Sequence, residues 1–161
     1  MLSVAAAVVV IWLVNAKVYG PAKQVENYFQ ALQDGNGALA LGILNAEVPQ
    51  ANAALLDSDA LRASTEGLEV LGMEEVATSV DGRTNVVVSY RLDGAEQQST
   101  FELEQTGSRW MFFDEWTFRP QSLPTVRVNA PNQNEAQLNG TRVLLPEGTN
   151  TFAAFYPSLS L

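Results

Sequence analysis

The chain has 161 residues, with 9 lysines and arginines against 18 aspartates and glutamates, a formal net charge of −9, and neither cysteine nor histidine. That length suits one domain with an appendage. The acidic balance, with no basic stripe, argues against a nucleic-acid partner. The missing thiols and imidazoles exclude disulfides, the usual zinc sites, serine-histidine triads and histidine acid/base chemistry, and no metal or cofactor is expected.

Residues 1–14 (MLSVAAAVVVIWLV) carry no charge, and Trp12 stands where an aromatic side chain meets a headgroup layer. An acidic surface is repelled by anionic lipid, so any membrane contact must come from this run. At about 1.5 Å per residue it covers about 21 Å, against about 30 Å for a hydrocarbon core. Three readings fit. The run is a transmembrane helix whose upstream part lies before Met1, a signal peptide cleaved at the small-residue pattern Val14-Asn15-Ala16, or an apolar helix buried in the domain. The expectation is an anchor or signal segment over residues 1–16, followed by a domain over 17–120. Lys17 and Lys23 follow the run and no cation precedes it, so the positive-inside tendency taken literally would turn the domain inward.

Residues 15–20 read as a link, and Pro21 sits where the first turn of a helix tolerates proline. Val25, Tyr28, Phe29 and Leu32 recur at i, i+3, i+4 and i+7, a core-facing stripe that stops at Asp34-Gly35-Asn36-Gly37. Further helical turns fit residues 38–45, 50–56 and 59–64, with Ser58 placed to cap the last.

Strand texture follows over residues 68–80, 83–92, 95–105 and 108–119, separated by Asp81-Gly82, Asp93-Gly94 and Thr106-Gly107. This predicts an antiparallel four-stranded meander in which the Asp-Gly pairs form tight hairpin turns. Thr84, Val86, Val88, Tyr90 and Leu92 share one strand face, and Trp110, Phe112, Trp116 and Phe118 share another. The helices are expected to pack there. Residues 121–161 form a small β-rich appendage with strands at 125–129, 136–145 and 151–156. It is too small to fold alone, so it leans on the meander or continues past Leu161. Asn139-Gly140-Thr141 matches a glycosylation sequon but is more economically a hairpin turn. Phe152, Phe155 and Tyr156 read as core if the chain continues and as an interaction patch if it ends.

The order of Val25-x-x-Tyr28-Phe29-x-x-Leu32-x-x-Gly35, short helices, and a meander ending Trp110-x-x-x-Asp114-x-Trp116 resembles the NTF2-like superfamily over about residues 21–119. With an apolar helix in front, the chain looks like the membrane-anchored bacterial members, TcaA-like envelope proteins included. Its last segment is similar to the small β module that often follows in them. The resemblance implies an α+β fold with N-terminal helices packed on a curved antiparallel four-stranded sheet, a half-open cone with a pocket at its open end. It also implies a single-pass membrane protein with an extracytoplasmic body, an envelope protein or cell-wall partner, and a non-catalytic binding or structural role. Some relatives are isomerases or dehydratases, and fold does not settle function.

Under the resemblance, Tyr28, Tyr90, Trp110, Phe112 and Trp116 are the pocket candidates. Strand alternation puts Asp114 on the same face as Trp110, Phe112, Trp116 and Phe118, and a carboxylate among aromatic rings is a candidate general base. In that enzymatic alternative Tyr90 or Tyr28 would serve as oxyanion donor to a small apolar substrate. The plainer reading is that a bulge at Phe112-Phe113 turns Asp114 outward, or that Arg109, Arg119 or a backbone amide pairs with it. Glu74 and Glu75 point to opposite strand faces and cannot act together.

Overall fold

A computed structural model describes residues 2–49, 51–56, 58–138 and 140–157, excepting the side chains of residues 2, 3, 11, 12 and 14–16. Helix α1 (Leu2–Val14) runs into a π-helical turn, Asn15–Tyr19, and so to Gly20, the N-cap of α2 (Pro21–Gln33). The stretch expected as a loose link is therefore helical. Val4, Val8, Val9, Val10 and Leu13 are 67, 60, 54, 57 and 41% exposed, which overturns the reading of an apolar helix buried in the domain. Among the described residues no helix is long and apolar enough to cross a membrane. The side chains of Trp12 and of Val14-Asn15-Ala16, on which the headgroup and cleavage expectations rest, lie outside the described residues.

Helix α2 begins on Pro21, whose missing N–H is one of the donors a first turn leaves unpaired anyway. Its stripe of Val25, Tyr28, Phe29 and Leu32 is fully buried. The helix ends against α4 (Ser58–Ser64), where the Arg62 guanidinium donates to the Asp34 carbonyl at 3.2 Å and the Thr65 hydroxyl to that of Leu32 at 3.2 Å. Between them lies α3 (Gly37–Leu44), capped by the Asn36 side chain, which accepts from the Leu39 N–H at 3.1 Å. A Cβ on Gly37 would overlap the Leu56 carbonyl oxygen, so glycine lets the start of α3 pass against the 3-10 turn Ala54–Leu56. Gln50, the expected start of that helical stretch, is outside the described residues. A two-residue strand, β1 (Ala46–Glu47), follows α3.

The meander is β2 (Glu69–Ala77), β3 (Arg83–Leu92), β4 (Ala95–Arg109) and β5 (Phe113–Phe118), antiparallel and paired in that order. The fold is therefore α+β, with helices on a four-stranded antiparallel sheet. Register breaks at Val70/Gly72 and at Gln105/Gly107 mark bulges, which bend the strands that carry them. Asp93 and Gly94 have φ of 51° and 77°, the tight turn expected. The β2–β3 connection is longer, spanning residues 78–82. Of its Asp-Gly pair only Gly82 takes positive φ, because the Thr78 hydroxyl ties the loop to Val80 and Arg83.

Thr106-Gly107 is not a turn. Strand β4 runs through it, the glycine sits at the bulge, and the chain reverses at Trp110-Met111, with φ of 57° and 61°. That register sets Phe118 opposite Leu103, where both are buried. A reversal at Thr106-Gly107 would have set Trp110 there instead.

The C-terminal segment is woven into this body. β6 (Gln121–Ser122) pairs with β1 in parallel, and β7 (Thr125–Asn129) with β10 (Thr149–Ala153). β8 (Glu135–Leu138) and β9 (Thr141–Leu144) form a hairpin whose last pair, Leu138 and Thr141, encloses Gly140 at φ 79°. Asn139, the other half of the expected turn and the sequon asparagine, is outside the described residues. Leu55, Val143, Leu145 and Phe152 make a second core, while Ala153 and Phe155 enter the main one. Phe152 and Phe155 are therefore interior, not a surface patch, and Tyr156 is half exposed.

Candidate functional site

Across β3, β4 and the end of β5 the helix-facing side of the sheet is filled. Val86, Val88, Tyr90, Leu92, Phe101, Leu103 and Phe118 pack against α2 in one cluster. Tyr28 touches the rings of Phe29, Phe101, Phe118 and Phe155 at centroid distances of 5.7 to 6.3 Å. Its hydroxyl donates to the Tyr156 carbonyl at 2.5 Å, and burial pushes its phenol well above the ordinary tyrosine range. The Tyr90 hydroxyl lies 3.3 Å from Gln97 Oε1 and 3.1 Å from Ser99 Oγ. Both tyrosines expected to line a pocket are thus core residues whose polar ends the protein itself satisfies.

Trp110 and Phe112 do not face the sheet interior at all. They flank Met111 at the tip of the β4–β5 hairpin, which the strand reading missed because it placed the reversal four residues too early. Trp116 is the candidate that stays where alternation put it, half buried against the core.

Asp114 shares a strand face with Trp116 and Phe118, but it opens into a cleft of about 380 Å³ between β5, α2, α3 and the π-helical turn. Tyr19, Asn27, Ile43, Arg109 and Trp116 line that cleft with it. Asp114 is half buried, and Gln105 Nε2 donates to its Oδ1 at 2.7 Å. Arg109 lies 3.7 Å from Glu115, and Arg119 turns to Glu102 at 3.1 Å. The carboxylate therefore stands at a polar rim beside other charges, with two of the aromatic rings expected around it pointing elsewhere.

Other concavities exist among the described residues, two of them with a partly apolar lining. A groove of about 780 Å³ runs between α2 and β2, edged by Lys17, Lys23, Glu26, Phe29, Val70 and Met73. A cleft of about 370 Å³ lies between β4 and β6, edged by Leu44, Phe101, Leu123 and Tyr156. No cluster of acidic residues among the described residues has the spacing to hold a metal ion.

No family model, curated protein or solved structure matches this chain.

Sequence reasoning missed two polar roles. Glu75, read only as unable to act together with Glu74, reaches from β2 to accept the Ala22 N–H at 3.2 Å, capping α2 where Gly20 offers no side chain. Gln105 holds Asp114 across the bulge. Neither has a local signal, because each partner lies on a different element.

Proposed function

We propose that this chain is a non-catalytic binding or structural module held at a membrane by α1, with its α+β body on the extracytoplasmic side of a bacterial envelope. The observation that carries the reading is α1 itself, a helix of valine, alanine, leucine and isoleucine with one serine and one tryptophan, whose described valines are exposed. Burying such a side chain is worth roughly 1.5–3 kcal/mol. A run of them left outside the core calls for an apolar phase, and apolar on all sides, it has no polar face with which to lie along headgroups. An NTF2-like plan for the body is supported by the order of the elements, helices first and a bulged meander after.

The non-catalytic part rests on the filled centre of the sheet face and on Tyr28 and Tyr90 being spent on the protein's own polar groups. An isomerase or dehydratase would have to work from Asp114 at its cleft rim. Protease added to intact spheroplasts carrying the full chain should digest the body and leave α1 with the membrane fraction, equally for wild type and Asp114→Asn. A body protected from external protease contradicts the placement. An Asp114→Asn variant that melts like wild type but loses a turnover supports the enzymatic reading instead.

A further inference from the structure

The two tight hairpin tips of the sheet have the same backbone sign and opposite chemistry. At β3–β4 the positive-φ pair is Asp93-Gly94, residues that tolerate the left-handed region. At β4–β5 it is Trp110-Met111, with the Phe112 N–H bonded to the Arg109 carbonyl at 3.3 Å. Bulky side chains are strained there, and these stand mostly outside the body. Trp110, Met111 and Phe112 are 78, 84 and 59% exposed.

The tip is also placed. Phe113, the first residue after it, stacks on Tyr19 at a centroid distance of 4.8 Å, and Tyr19 ends the π-helical turn that continues α1. The apolar tip and the apolar helix therefore leave the body at the same end. Arg109, 3.7 Å from Glu115, sits at the base of the tip and Lys17 in the turn beside it, both exposed, within a chain of net charge −9. Tryptophan at a headgroup boundary, methionine and phenylalanine beyond it, and cations that can reach back to the polar layer make a set suited to the bilayer interface.

We propose that the Trp110-Met111-Phe112 tip is a second membrane contact, dipping into the interface of the bilayer that holds α1 and so fixing the body against the lipid surface. This rests on the tether proposed above. Continuity with α1 favours lipid as the occupant over a protein partner.

The test uses two full-length chains. One carries Trp12→Phe, leaving indoles at positions 110 and 116. The other adds Trp110→Asn and Met111→Gly, which restore residues the turn prefers. Both are mixed with phosphatidylcholine vesicles brominated near the glycerol backbone. The tip inference expects both chains to float with the vesicles, and the Trp110 contribution, read as the difference between them, to fall about twofold on bromination, since an interfacial indole lies within reach of the bromines. It also expects the Asn-Gly chain to melt higher than its parent, because the tip is strained for lipid and not for folding. If both chains float and Trp110 is unquenched, the tip inference falls and the tether stands. If neither floats, the tether falls and takes the tip with it. Trp110 emission already shifted to the blue without vesicles, pointing to a protein contact, or a lower melting point for the Asn-Gly chain, overturns the tip inference.

Discussion

Tyr28 shows what the aromatic interior is used for. It was legible as a core residue from its place in the Val25, Tyr28, Phe29, Leu32 stripe, yet spacing along a helix says nothing of whether the far end of the ring meets a pocket or a carbonyl. It meets the Tyr156 carbonyl, brought from 128 residues away, and so works as a clasp between α2 and the C-terminal segment. With its phenol held above the ordinary value of about 10, the folded state keeps a proton that the unfolded chain releases. The stability it gives is intact below about pH 10 and is lost as the pH rises further, by about 1.4 kcal/mol per unit. Tyr28→Phe should cost about 1–2 kcal/mol at neutral pH, because the carbonyl loses its donor, and should flatten the alkaline slope. Urea unfolding of both proteins on either side of pH 10 measures this, and equal alkaline slopes would show that Tyr28 does not carry it.

Among elements, the sheet was readable where local chemistry and tertiary packing agree. Asp93-Gly94 is a turn on both counts. Thr106-Gly107 has the composition of a turn, but the pairing that buries Phe118 against Leu103 and Tyr28 outweighs it, and the glycine becomes a bulge instead. The start of α2 is the complementary case, because its cap comes from another element. Glu75 accepts the Ala22 N–H at 3.2 Å, and its charge faces the positive end of the helix. Glu75→Ala should destabilise by about 0.5–1 kcal/mol, whereas Glu74→Ala, exposed with no comparable role, should stay within about 0.5 kcal/mol of wild type. Thermal melts of the two variants distinguish them, and identical shifts would mean the cap contributes nothing.

Over the whole molecule, composition divides the chain near residue 120, and packing does not follow that division. Phe155 lies in the main core and Leu55 in the second, so each part of the chain completes the other's interior. Such interleaving cannot be read from a sequence whose local patterns look separable. The α+β class and the helix-facing strand residues were legible, while the rings expected around one pocket are dispersed: Tyr28 and Tyr90 are core, Trp110 and Phe112 stand at the hairpin tip, and Trp116 borders the Asp114 cleft. The apolar helix and the tip beside it both stand outside the two cores. Flotation of the full chain on neutral phosphatidylcholine vesicles, compared with a Val8→Asp/Val9→Asp variant, tests that placement most directly. Wild type should float, and keep floating at high salt because no headgroup charge is involved. The variant should stay in the dense fraction, since each charge at bilayer depth is opposed by about 2.5–3.5 kcal/mol. Wild type remaining in the dense fraction, or the variant floating equally well, would contradict it.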